Sequence, residues 1–302
     1  MKKVTILLFS ILLICVPAVF AEGQQESCAD DQLIIGVSMS TLANPFFVTM
    51  KDAGVAEAEK QNIKLIVLDA QDDVAKQSNQ VQDLIIKEVD GIILNPVDSD
   101  AVGSVTKEAN RAGIPVITIT RPSNAGEILQ HIDSDNKFGG NLAGDALAEA
   151  INEKGQVVEL EGIPGAPSTL DRGSGFNEAI AKYSDIEVVA AQTANYSRQE
   201  GLAVMENLLQ AFPGLVAVFA HNDEMALGAV AALKSINRND VVVVGFDATD
   251  DALVAIEKGE MTATVAQQPK LQMELAIQNM IKHLNGEDFG DEVILAPLKL
   301  IK

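Results

Sequence analysis

The side chains able to do chemistry in this sequence are a scattered set of planar polar groups, each standing just after an apolar, β-branched run. Ser40 and Asn44 follow Leu33–Met39, Thr120 and Arg121 follow Ile114–Ile119, and Asn195, Tyr196 and Ser197 close a third run. Asn222 with Asp223, then Asp247, then Gln267, end three more. A carboxylate accepts two hydrogen bonds, a guanidinium donates from a rigid fork, and an amide does one of each, so such a set can bond neighbouring hydroxyl groups in pairs. The chemistry this favours is binding. Each position also has a plainer role, because Asn, Asp and Ser cap helices. Arg121 and Gln267 are poor caps, and their presence at the same edges weighs toward a ligand. The adjacent Phe46 and Phe47, in a chain with no Trp and two Tyr, are either an apolar platform for that ligand or a staple that holds their helix to its strand.

Bond-making chemistry finds little support. His131, His221 and His283 are too scattered for a metal set. Ser168 and Thr169 have no Gly-x-Ser-x-Gly setting or paired histidine, and no Gly-x-Gly-x-x-Gly follows the first strand, so neither a nucleophile nor a dinucleotide site is expected. Asp69, Asp72, Asp73, Asp98 and Asp100 stand where strands end and helices start, which is where acids complement the helix dipole. No metal, cofactor or catalytic residue is expected. Asn195-Tyr-Ser197 matches a glycosylation sequon by pattern.

These groups must be carried by strands and helices in alternation. Apolar runs near residues 33–39, 64–69, 91–96 and 114–119 alternate with amphipathic segments near 46–61, 73–88 and 99–112, and 128–132 reads as a shorter strand leading out. The rhythm repeats with strands near 156–160, 186–192, 215–220, 240–245 and 261–266 and helices near 136–153, 170–183, 198–211, 223–235 and 250–258. A helix near 270–285 and a strand at 298–301 close the chain. Such alternation specifies parallel sheets with helical crossovers, and two similar halves specify two doubly wound α/β domains. In open α/β sheets ligands bind outside the carboxyl ends of the strands, which is where the polar groups stand.

Lys2 and Lys3 precede an apolar stretch from Val4 to Phe20, and Val19-Phe-Ala21 fits a signal-peptidase site, so residues 1–21 read as an export signal. Neither Cys15 nor Cys28 sits in a standard lipoprotein setting, a membrane tether through Cys28 stays an open alternative to a free mature chain, and cleavage after Ala21 leaves Cys28 without an internal disulfide partner. The formal charge is −21, and loss of the two leader lysines makes it more negative still. Such a surface repels phosphate backbones, so nucleic acid is not an expected partner.

The segments Ser40-Thr-Leu-Ala-Asn-Pro-Phe-Phe47, Asn95-Pro-Val-Asp-Ser-Asp-Ala-Val102, Ile114-Pro-Val-Ile-Thr118, Asp171-Arg-Gly-Ser-Gly-Phe176, Val218-Phe-Ala-His-Asn-Asp-Glu-Met-Ala-Leu-Gly228 and Val244-Gly-Phe-Asp247 resemble those of the periplasmic sugar-binding receptors of bacterial ABC importers, the ribose-binding branch above all. The resemblance runs from about Leu33 to Lys302 in order and spacing. It implies a bilobal, type I receptor whose chain crosses three times between lobes. One lobe would hold residues 31–134 with 268–297, the other 135–267 with 298–302, and the hinges would lie near 132–135, 265–268 and 296–298. It also implies a periplasmic monomer that closes on a ribose-like pentose or furanose and delivers it to an importer permease. A sensor that signals to a chemoreceptor or histidine kinase would use the same site. A repressor of the same core would need a DNA-binding headpiece, and a sugar hydrolase would need two carboxylates flanking a bond.

By position, the resemblance assigns sugar contacts to Asn44 and Phe46, with Ser40 and Phe47 on the same wall. It assigns ring-hydroxyl contacts to Arg121 and, from the opposite lobe, Arg172, a stacking aromatic to Tyr196, and the remaining polar contacts to Asn222, Asp247 and Gln267. Thr120 stands where the ribose-binding pattern has an aspartate. Two arginines facing Asp247 alone would leave surplus positive charge in a closed site. Three outcomes are open: an acid elsewhere such as Asp133 compensates, the ligand brings negative charge, or one arginine stays hydrated. A neutral pentose is the first expectation. Within Asn136-Lys-Phe-Gly-Gly140 the glycines are either hinge residues or helix-packing spacers.

Overall fold

A computed structural model describes residues 32–302; the expected export signal and both cysteines lie outside the described residues. The first half runs β1 (Ile34–Met39), α1 (Pro45–Lys60), β2 (Lys64–Asp69), α2 (Val74–Ile86), β3 (Gly91–Leu94), α3 (Gly103–Arg111), β4 (Val116–Ile119) and β5 (Gln130–Ser134). The second runs α4 (Asn136–Ala150), β6 (Lys154–Glu161), α5 (Pro167–Ile180), β7 (Asp185–Thr193), α6 (Arg198–Ala211), β8 (Leu215–Ala220), α7 (Asp223–Ser235), β9 (Val242–Asp247), α8 (Asp250–Glu257) and β10 (Ala263–Ala266). Then come α9 (Pro269–Leu284), β11 (Val293–Ala296) and β12 (Lys299–Ile301).

Two six-stranded sheets result, ordered β2-β1-β3-β4-β5-β11 and β7-β6-β8-β9-β10-β12. Every strand pair in the first is parallel, and in the second only β10 and β12 run antiparallel. The chain therefore passes from the first sheet to the second after β5, back after β10, and over again after β11. Strand β11 was not expected from the sequence, because it is four residues long and its edge position leaves Val293 and Leu295 exposed.

Each central strand is buried on both faces, which is why its sequence is a continuous β-branched run. Successive residues alternate sides: Ile93 and Ile117 face α1 and α9 with Met273 and Met280, while Ile92 and Val116 face α2 and α3 with Leu84 and Val105. In the second sheet Val158 and Val218 face α6 and α7, and Val157 and Phe219 face α4 and α5. Burying a side chain of this size contributes about 1.5–3 kcal/mol.

The glycines of α4 are packing spacers, not hinge residues. A Cβ on Gly140 would lie 2.2 Å from the Arg172 carbonyl oxygen, and one on Gly139 2.6 Å from the Phe246 ring. Because a backbone oxygen cannot rotate away, Gly140→Ala must push α5 off α4, and overpacking of this kind costs about 1–3 kcal/mol. Urea unfolding monitored by circular dichroism is expected to show that loss, together with weakened ligand affinity, since α5 carries Arg172.

Candidate functional site

The carboxyl ends of both sheets open onto one cavity of about 610 Å³. From the first sheet come Asn44, Phe46, Phe47, Asp72, Thr120, Arg121 and Asp133; from the second Ser168, Arg172, Tyr196, Asn222 and Asp247, with Gln267 at the crossover after β10. At the rim Arg198 pairs with Glu224 at 2.6 Å and Asp251 at 2.8 Å.

Several of these residues serve the fold and the cavity at once. Asn44 Oδ1 accepts the Phe46 N–H (2.9 Å) and caps α1, with Pro45 at its first turn. Asn222 Oδ1 likewise accepts the Met225 N–H (3.0 Å) and caps α7, while its Nδ2 donates to the Tyr196 carbonyl (3.3 Å). Phe46 and Phe47 are buried in the core beside Met39 and Ile119, with rings edge-on at 5.2 Å, yet both face the cavity. The staple is present, and the same two rings border the cavity.

Ser40 is the exception among the expected contacts. It is fully buried and does not line the cavity; its hydroxyl donates to Asn95 Oδ1 at 2.6 Å, which ties β1 to the end of β3. A side chain committed to Asn95 has nothing to offer a ligand. Asn95 Nδ2 reaches on to Thr120 Oγ1 and to the Ile119 carbonyl at 3.1 Å, so this amide joins three strand ends beneath the cavity floor.

The electrostatic centre is Arg172, six residues into α5. Nε donates to Asn136 Oδ1 (2.9 Å), Nη1 donates to the His221 carbonyl (2.5 Å) and lies 3.8 Å from Asp247 Oδ1. The guanidinium lies over the Phe246 ring, 3.9 Å from its centroid. Gln267 Nε2 donates to Asp247 Oδ1 at 2.7 Å. Burial raises the pKa of Asp247, opposed by Arg172 and Gln267; burial and then Asp247 itself raise that of the neighbouring Asp223. Asp223 is taken up structurally, accepting from the Thr249 N–H (2.7 Å) and the Thr264 hydroxyl (2.7 Å).

Across the cavity Arg121 is buried and donates to the Pro96 carbonyl (2.9 Å). Burial lowers its pKa, while Tyr196, Asp72 and Asp133 act the other way. Two further carboxylates, Asp72 and Asp133, line the same wall and act against the surplus positive charge that Thr120 leaves. Of these, Asp72 was not foreseen as a site residue. Tyr196 is held by its phenol oxygen, which lies 2.9 Å from both Ser168 Oγ and Thr169 Oγ1. Those two hydroxyls orient an aromatic ring. The ring tip sits where only glycine fits, since a Cβ on Gly162 would lie 2.1 Å from Tyr196 Cζ.

Asp72, Thr120, Asn195, Tyr196 and Asp247 all line the cavity with φ between 51° and 119°, a region that non-glycine residues seldom adopt. Strained backbone gathers at functional sites because the surrounding structure is built to hold it.

A family model described as a periplasmic binding protein domain matches residues 35–288. The chain belongs to the periplasmic binding protein family. Curated relatives within it include the ribose import binding protein RbsB of Bacillus subtilis, 42% identical over 99% of this chain and 99% of its own length. The RbsB of Escherichia coli is 46% identical over 84% of this chain and 85% of its own. Among solved structures, a periplasmic solute-binding protein of an ABC transporter from Actinobacillus succinogenes, with bound D-allose, superposes with a TM-score of 0.86 at 34% identity, covering 89% of this chain and 97% of that one. The fold of this periplasmic binding protein is thus shared with that solute-binding protein. No helix among the described residues is long and apolar enough to cross a membrane.

Proposed function

We propose that this chain is an exported receptor that captures a neutral monosaccharide, a ribose-like pentose or furanose, and presents it to an ABC-type importer. The observation that carries this reading is the arrangement of Arg172, Asp247 and Gln267 facing Arg121, Asn44 and Phe46 across one cavity. Donors and acceptors alternate around it, and aromatic rings border it. A sugar presents the complement: a belt of hydroxyls that donate and accept, and two weakly apolar faces. Each buried hydroxyl pairing contributes about 0.5–1.5 kcal/mol net, and about 1.5–3 kcal/mol with a charged partner, so several must converge.

The Arg121, Arg172, Tyr196, Asn222, Asp247 and Gln267 side chains are the proposed polar and stacking contacts, with Asn44, Phe46 and Phe47 on the facing wall. Residues 33–134 with 268–297 form one lobe and 135–267 with 298–302 the other, so the three chain crossings are the hinges. A ligand that touches both lobes binds the closed form better and shifts the population toward it. The closed form is what an importer's permease distinguishes. Mass spectrometry of the small molecule released on denaturing freshly purified protein is the direct test, with a pentose or hexose as the expected result. Small-angle scattering of ligand-stripped protein should show a smaller radius of gyration on adding that sugar. A retained amino acid, or no change in shape with any sugar that binds, would overturn the reading.

A further inference from the structure

Arg121 has donors to spare. It gives one hydrogen bond to the Pro96 carbonyl, and among the described residues no carboxylate lies within ion-pair distance of it. Thr120 beside it is engaged by Asn95. Asp133, the acid expected to balance it, is engaged on both oxygens: Oδ1 accepts the Ser134 N–H (2.7 Å) and Oδ2 the Asn136 amide (3.1 Å), with His131 Nε2 3.8 Å from Oδ2.

Asp72 is the acid with capacity left. Its carboxylate has the Thr41 hydroxyl beside it and no other hydrogen-bond partner among the described residues, and it interacts with Arg121 across the cavity wall. An ionised carboxylate offers about four acceptor positions, so most remain open. Its placement is enforced. Gln71 and Asp72 are consecutive residues with φ of 57° and 58°, and the Asp72 N–H donates to the Ser40 carbonyl (2.8 Å). Asp69 Oδ1 ties the same turn to the β1–α1 loop by accepting from Leu42 (3.1 Å) and Gln71 (3.0 Å). The helix cap that an acid here would ordinarily supply is made by Asp73, whose Oδ1 accepts the Lys76 N–H (2.9 Å). Asp72 is thus held in a strained conformation and serves no capping role.

We propose that Asp72 contacts the ligand: with the free donors of Arg121 it grips adjacent hydroxyls of the bound sugar and turns sugar acids away. Donor fork and open acceptor share one wall, which matches vicinal hydroxyls. Around them Asp72, Asp133 and Asp247 outnumber Arg121 and Arg172, so a carboxylate on the ligand meets net negative charge. This inference rests on the sugar-receptor reading above and adds to it both a contact and a charge preference.

The test is calorimetry on ligand-stripped protein with D-ribose, L-arabinose and D-allose as neutral probes and D-ribonate and D-galacturonate as acids. The variant is Asp72→Asn, because Asn tolerates the left-handed backbone and keeps an acceptor for Thr41. Wild-type protein is expected to bind at least one neutral probe and to prefer it over both acids. Asp72→Asn should weaken that sugar at least tenfold at an unchanged melting temperature, and should narrow the preference over the acids at least tenfold. A merely structural role would lower the melting temperature and leave the preference in place. Affinity within twofold of wild type would overturn the role of Asp72 and leave the receptor reading standing. Wild-type binding of an acid with no neutral probe bound would overturn both.

Discussion

Arg172→Ala is expected to abolish measurable sugar binding while both lobes stay folded. The guanidinium meets Asn136, the His221 carbonyl, Asp247 and the face of Phe246 at once. Removing it strips the ligand of a charged donor and leaves Asp247, raised in pKa by burial, without its nearest positive group. Breaking one half of a buried charge pair costs about 3–5 kcal/mol, or roughly 10²–10⁴-fold in affinity. In the ligand-free protein water can enter the cleft and solvate Asp247, so the loss should fall on binding and leave the melting temperature of the empty protein within a few degrees of wild type. Arg172→Lys sharpens the point. It keeps the charge but not the planar fork, and one ammonium cannot reach Asn136, the His221 carbonyl and a sugar hydroxyl together, so most of the affinity should stay lost. Calorimetry with the sugar identified from the purified protein checks both variants; full affinity in Arg172→Lys would show that charge alone matters there.

Most of this cleft could be read before the structure was seen, for a physical reason. Strands buried on both faces must be apolar throughout, so the polar residues that end each run stand out, and in a parallel sheet those ends lie along one edge. Arg121, Asn222, Asp247 and Gln267 were legible in that way. What escaped was information carried by side-chain direction. Ser40 looks like any strand-end polar residue, but its hydroxyl turns inward to Asn95. Asp72 and Asp73 look like a pair of helix-start acids, yet only Asp73 caps α2, and a left-handed backbone turns its neighbour toward the cavity. One signal was available: a helix start needs a single cap, so the second acid had no evident task. Ser168 and Thr169, set aside as nucleophiles, have a part that shows only once Tyr196 is folded against them. His221 escaped as well, because nothing in its sequence setting marks a histidine beneath an arginine.

That histidine leads to the second large effect, Glu159→Ala. Both residues are buried, and His221 Nε2 lies 2.7 Å from Glu159 Oε1. The Gly162 N–H points at His221 Nδ1 (3.4 Å), which makes that nitrogen the acceptor and places the ring proton on Nε2, donated to Glu159. Glu159 Oε2 also accepts from the Asn177 amide (3.2 Å), so the carboxylate links β6, α5 and the end of β8. Alanine would strand the buried His221 donor and open a void among close-packed groups. Stranding such a donor costs about 1–3 kcal/mol and the void adds to it, so a loss of about 3 kcal/mol in urea unfolding is expected. The same loss should reach the ligand, because the His221 carbonyl is what holds Arg172 Nη1. A backbone carbonyl free to shift by even part of an ångström releases the guanidinium, and about a tenfold weaker sugar affinity should accompany the lost stability. Glu159→Gln separates the two possible causes. It keeps an acceptor for the His221 proton and nearly the same volume, so it should restore both stability and affinity if geometry is what the carboxylate provides. If Gln restores stability but leaves affinity low, the negative charge of Glu159 acts on Arg172 directly, and the hydrogen-bond relay through His221 is not how the site is held.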